Sequence, residues 1–277
     1  MIDGLSLEYV GVRAAARLAW RPDAALWRRL HAARDLRALL DVARAAPVGA
    51  YISGVAPRAD CNEIDLAFRA QWRARVDERA GFSPARWRAA LRWCAHLADL
   101  SAVAHLWSRP GLPWMAADPV LAPYAQPAAS IAAQRARLRT GVLAPLGNTL
   151  ARDAVSTSAR ARPGPAAGLP PVLAAWLSEW QRRWPPTRAA AGTALPALRD
   201  ELLAHRARFA HLPVTDTTAA RDALAARLLA HVHADPAQPL ALFAGLALLA
   251  LDLERLRAEC LRLAVDAAFA PAAEAMT

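Results

Sequence analysis

The chain has 277 residues and a formal net charge of +10, and with no lysine its 34 basic side chains are all arginine. That length can bury a sizeable core in one large or two smaller domains. Cys61, Cys94 and Cys260 lie far apart, which excludes a CxxC motif or a disulfide framework and reads as small core residues in a reducing compartment.

The spacing of apolar residues and the placement of proline predict helices throughout. The first runs over 5–19, with Leu5, Tyr9, Val12 and Ala16 on one face, and stops before Pro22. Short helices follow over 23–32 and 35–45, and Pro47 ends the second. Residues 48–54 read as a turn-like connector, and a long charged helix over 60–79 carries Ile64, Phe68, Trp72 and Val76 at steps of four. Ser83-Pro84 is an N-cap followed by proline at the first helical position; it opens a helix over 84–97, with another over 99–107. The Pro-rich stretch 110–127 reads as irregular, and short helices are expected over 128–139 and 148–161.

Residues 162–171 are the best linker candidate, rich in proline and glycine. They divide a basic helical half, 1–161, from a second half, 172–277, that holds helices over 172–184, 197–210 and 218–233. The last helix, about 239–269, is the most informative element. Leu242, Leu246, Leu249, Leu253, Leu256, Cys260 and Leu263 alternate steps of four and three, one continuous seam. Its first half carries no charge, while the second begins Asp252-Leu253-Glu254-Arg255-Leu256-Arg257. A helix apolar all round at one end and charged at the other is a spine threaded through a bundle. The fold class is therefore all-α, a multi-helix bundle. Asp35-Leu36, Asp99-Leu100 and Asp252-Leu253 echo one another, which would fit three pseudo-repeated helical units.

Charge is uneven: residues 1–160 hold 22 Arg against 13 acids, and 161–277 hold 12 against 11. A basic half could meet nucleic acid, anionic lipid or an acidic protein, yet helical acid neighbours such as Asp41 for Arg37 and Asp77 for Arg73 fit a solvated surface. No convergent set of metal ligands, Gly-rich phosphate loop, paired-acid motif or Gly-x-Ser-x-Gly elbow is present. No cofactor, metal or catalytic residue is expected, and the chain reads as a non-enzyme. Trp176, Trp180 and Trp184 form a stripe on one helix, read as core packing against the spine or as an aromatic anchor for a partner. The start Met1-Ile2-Asp3-Gly4 has no signal-peptide character, and uncharged stretches fall short of a membrane span; the expected location is cytoplasmic.

Three segments resemble a family of bacterial and archaeal V/A-type ATPase components, the C component of the central stalk, equivalent to the d component of eukaryotic V-type ATPases. Tyr9-Val10-Gly11-Val12-Arg13-Ala14 is similar to the family's Tyr-x-x-x-Arg-hydrophobic start. The stretch from Trp93 to Arg109, around Asp99-Leu100, looks like its central Asp-aliphatic-x-Asn-aliphatic segment, and Asp252 to Arg257 resembles its acidic-aliphatic-x-Asn-Leu-Arg near the end. Ala102 and Arg255 stand where the family has Asn. The resemblance implies a funnel of three helical bundles, a non-catalytic socket that couples the central shaft to the membrane rotor ring during ion translocation. Its partners would be the central-stalk subunits and the ring, on the cytoplasmic face of the inner membrane. Candidate interface residues are Tyr9, Arg13, Asp99, Asp252, Arg255, Arg257, Trp176 and Trp180. The alternatives are a basic helical nucleic-acid-binding protein and an unrelated cytosolic helical scaffold.

Overall fold

A computed structural model describes residues 7–18, 21–156, 170–186 and 189–274. Among them the fold is all-α, with no strand. In chain order the helices are α1 (Leu7–Leu18), α2 (Ala24–His31), α3 (Leu36–Arg44), α4 (Cys61–Phe82), α5 (Ala85–Trp93), α6 (Leu100–Ser108), α7 (Ile131–Leu138), α8 (Ala144–Ser156), α9 (Pro171–Arg182), α10 (Ala189–Phe209), α11 (Thr217–Ala234) and α12 (Pro239–Glu274). Short 3-10 turns at Pro47–Tyr51, Cys94–Asp99, Pro113–Ala117, Ala122–Tyr124 and Val214–Asp216 join them.

Local chemistry sets many of the starts. The Asp23, Asp35 and Ser130 side chains accept from backbone N–H groups in the first turns of α2, α3 and α7. Asp60 and Glu63 form a reciprocal capping box on α4. Proline opens α9 and α12, where a missing N–H costs nothing. Ser83 departs from expectation: its hydroxyl donates backward to the Arg79 carbonyl at 2.7 Å and so helps end α4. Pro196 lies within α10, so that helix starts earlier than the proline signal placed it. No helix among the described residues is long and apolar enough to cross a membrane.

The chain forms two compact units, one of residues 1–91 with 185–277, the other of 92–184. This division falls elsewhere than the expected halves, because chain start and chain end pack together on α12 in the first unit. The expected linker at 162–171 lies largely outside the described residues.

In the first unit α12 is the axis, about 54 Å long at 1.5 Å per residue, and α1, α3, α4, α10 and α11 pack against it. From Ala241 to Leu246 every residue of α12 is buried; beyond Ala250 burial is confined to one side. All seven seam residues, Leu242, Leu246, Leu249, Leu253, Leu256, Cys260 and Leu263, are buried. Ile64, Phe68, Trp72 and Val76 form the buried stripe of α4, and Trp87 meets Phe243 edge-on at 5.9 Å. α1 packs otherwise than its apolar spacing indicated. Tyr9 and Val12 are 46 % and 65 % exposed, and Gly11 is buried instead: a Cβ there would lie 2.0 Å from the Pro236 carbonyl oxygen. At this point backbone meets backbone. Cys94 and Cys260 are buried as expected, but Cys61, in the first turn of α4, is exposed.

In the second unit α6 to α9 surround a tryptophan pair. Trp93 Nε1 donates to the Trp176 carbonyl at 3.1 Å, and Trp176 Nε1 donates to the Trp93 carbonyl at 3.3 Å. Each ring therefore buries its area and satisfies its one donor. Tyr124 closes against Gly111, where a Cβ would come within 1.8 Å of the Tyr124 carbonyl oxygen.

Candidate functional site

The sequence-derived candidates separate into an outward group, an inward group and a tryptophan core. Tyr9 and Arg13 are outward, one turn apart on α1. Arg13 donates to the Tyr9 hydroxyl at 3.3 Å and lies 3.7 Å over the Phe82 ring, so its charge is held against an aromatic face.

Asp252, Arg255 and Arg257 face inward, each toward a different element. Asp252 is buried and accepts two hydrogen bonds of 2.7 Å from Arg21, in the segment between α1 and α2. Burial pushes the Asp252 carboxyl above its ordinary range more than Arg21 pulls it down; the same bond raises Arg21. Arg255 lies 4.4 Å over Trp27 of α2 and donates to Asp222 of α11 at 3.4 Å. Arg257 donates to Asp65 of α4 at 2.8 Å. The charged half of the spine is thus a set of ties to α2, α4 and α11, where an exposed partner face was expected.

Asp99 is sealed at 0 % exposure, and its carboxylate meets His96 Nδ1 at 2.9 Å. Trp176 and Trp180 are buried and stacked at 5.7 Å, and Trp180 meets Trp184 edge-on at 4.9 Å. They pack on one another, and Trp176 on Trp93, all within the second unit, so the stripe is packed rather than displayed. Beside it Glu179, also buried, accepts from Arg182 at 2.6 Å and pairs with Arg183, whose guanidinium lies 4.1 Å over Trp93.

Two clefts in the first unit share the Arg21–Asp252 pair as a common wall. The larger, about 770 Å³, is lined by Trp27, Arg221, Asp222 and Arg255 among others. His31 and Glu259 meet at its edge at 3.0 Å. The smaller, about 240 Å³, is lined by Arg17, Arg21, Tyr51, Arg75 and Arg79. Glu78 bridges two of these, pairing with Arg17 and accepting from Arg75 at 3.0 Å. The Arg17 hydrogen bond holds the Glu78 carboxyl below its usual range. Sequence reasoning missed this cluster. Its one local signal is that Arg75 and Arg79 are four residues apart on α4 and so share a face; Arg17, Arg21 and Tyr51 arrive from distant segments.

Among the described residues no group of three or more His, Cys, Asp and Glu side chains is placed to hold a metal ion. Comparisons with known protein families, with curated proteins and with solved structures found no match.

Proposed function

We propose that the chain is a non-catalytic adaptor of a rotary V/A-type ATPase, coupling a central shaft to the membrane rotor ring. The observation that carries this reading is the spine, a helix of 36 residues whose family-like segment binds three surrounding elements. An adaptor that transmits torque must resist twisting. Asp252, Arg255 and Arg257 cross-link one long helix to the segment before α2, to α2 with α11, and to α4. Buried and half-buried polar networks of this kind specify one arrangement of helices. An adaptor also needs an exposed face, and among the described residues Tyr9 and Val12 of α1 are 46 % and 65 % exposed.

Affinity purification of the chain from its own cells, in mild detergent, tests the proposal. Stalk and ring subunits should be recovered with it; recovery of the chain alone under conditions that keep the ATPase intact would overturn the reading. A nucleic-acid-binding role has less behind it, because acids are interspersed among the arginines of the basic half, Asp41 beside Arg44 and Glu78 beside Arg17 and Arg75, which breaks up any continuous basic surface. Filter binding with a steep salt slope would reverse that ranking.

A further inference from the structure

The smaller cleft contains an arginine without a carboxylate. Arg79 of α4 is half-buried against Gly245 of α12, where a Cβ would come within 3.0 Å of its terminal nitrogen, and the guanidinium lines the cleft. It forms no hydrogen bond or ion pair among the described residues. Burial, with the neighbouring Arg17 charge acting in the same direction, lowers its pKa to about 10, so it stays protonated at neutral pH. A partly desolvated charge gains from a group of opposite sign that meets it. Glu78, the nearest acid on the same helix, is already shared by Arg17 and Arg75.

We propose that this cleft binds a phosphate-class oxyanion: inorganic phosphate, pyrophosphate, or the terminal phosphate of a larger molecule. Arg17, Arg21, Arg75 and Arg79 face it against the carboxylates of Asp252 and Glu78, an excess of two positive charges suited to a dianion. Guanidiniums present forked N–H donors that match such oxygens. Tyr51 lines the same cleft, its hydroxyl makes no hydrogen bond among the described residues, and Arg75 lies 5.6 Å over its ring. At about 240 Å³ the space lies below the roughly 300–1,000 Å³ of ordinary small-molecule pockets and suits a compact ligand. Gly245 keeps the wall low beside Arg79, so the guanidinium is not displaced by a side chain from α12. The site does not rest on the adaptor reading, and neither stands or falls with the other.

The test is titration calorimetry of the full chain with inorganic phosphate and with pyrophosphate, beside flotation with phosphatidylcholine vesicles with or without phosphatidic acid. Single-site binding is expected. Arg79→Met should weaken it by about tenfold or more, the loss of a charge-assisted contact. Tyr51→Phe should weaken it less. Arg44→Ala, which removes one positive charge outside the cleft, should leave it unchanged. Binding of the soluble probes identifies a soluble ligand, and Arg79-dependent flotation alone places the phosphate on a lipid. Absence of binding to every probe overturns the proposal, and so does equal weakening by Arg79→Met and Arg44→Ala, which would mean diffuse charge. Should Arg79→Met fail to fold, the decision passes to Tyr51→Phe and to the parent chain's thermal shift with pyrophosphate; no change in either overturns the site.

Discussion

Truncating the spine at two positions of one seam separates a sealed core from a wall that borders open space. Leu256 is 0 % exposed and Leu249 is 6 % exposed, and only Leu249 lines the smaller cleft. Leu→Ala changes in a core cost about 2–5 kcal/mol, the spread reflecting how completely the site can relax or fill. At Leu256 the new void is closed on all sides, so Leu256→Ala should fall near the top of that range, about 4 kcal/mol. At Leu249 the void opens into the smaller cleft, so the cost should fall near the bottom, about 2–3 kcal/mol. Urea unfolding followed by tryptophan fluorescence and far-UV circular dichroism reads both. Because the chain has two compact units, two transitions can appear, and only that of the first unit should move. The reasoning fails if Leu249→Ala costs as much as Leu256→Ala, or if Leu256→Ala leaves the midpoint unchanged.

Gly11→Ala should cost about 1–3 kcal/mol or release α1, since its Cβ would meet the Pro236 carbonyl at 2.0 Å; proteolysis within the first 20 residues should then accelerate in thermolysin digests. Arg257→Ala should cost less than about 1 kcal/mol, because Arg257 and Asp65 remain 33 % and 28 % exposed and the pair is screened; an unfolding midpoint shifted as far as that of Leu256→Ala would contradict this. The depressed Glu78 carboxyl, held mainly by the Arg17 hydrogen bond, contributes stability that is present above the ordinary carboxylate range and lost as pH falls through its folded value. Glu78→Gln should therefore flatten the acid limb of a stability-versus-pH curve below about pH 5, and an unchanged limb would count against the pairing. Val12→Asp, at 65 % exposure, should leave the thermal midpoint within noise yet weaken recovery of partner subunits, whereas a large loss of stability would show that this face is covered within the chain.

What the sequence disclosed was what repeats along one helix. The steps of four at Ile64, Phe68, Trp72 and Val76 and the steps of three and four from Leu242 to Leu263 mapped onto buried faces, because side chains three and four apart share a face whatever lies opposite. The cap read at Ser83 instead bonds back to Arg79, while Asp23, Asp35 and Asp60, placed only as first residues of helices, are the caps that form. α1 was misread at Tyr9 and Val12, which are exposed, because the close approach at Gly11 leaves no apolar signature. Asp41, four residues from Arg37, makes its contact with Arg44 at 3.5 Å instead, since exposed arginines choose between i+3 and i+4 partners at little cost. The pair of Arg21 and Asp252 spans 231 positions, and no spacing rule reaches that far.

The three Asp-Leu segments carry the same lesson about the candidate site. Asp35 is an exposed N-cap, accepting from the Ala38 amide at 2.8 Å. Asp99 ends a 3-10 turn and is buried against His96. Asp252 sits in a helix interior, where no backbone amide is free, and is held by Arg21. The echo therefore does not mark one repeated local structure. Asp before an apolar residue recurs wherever a helix starts beside a core, since a cap and the first buried position are neighbours. Of the three, Asp35 alone caps with its side chain; Asp99 stands at a helix start without a side-chain cap bond, and Asp252 lies mid-helix, where its burial demands a partner of opposite charge. Arg21 answers that demand while standing in the wall of both clefts, so one ion pair at once ties the spine to the segment before α2 and sets the charge that either cleft presents. The stiffening of the body and the chemistry of its cavities are for that reason parts of one arrangement, and neither could be altered at Arg21 or Asp252 without the other.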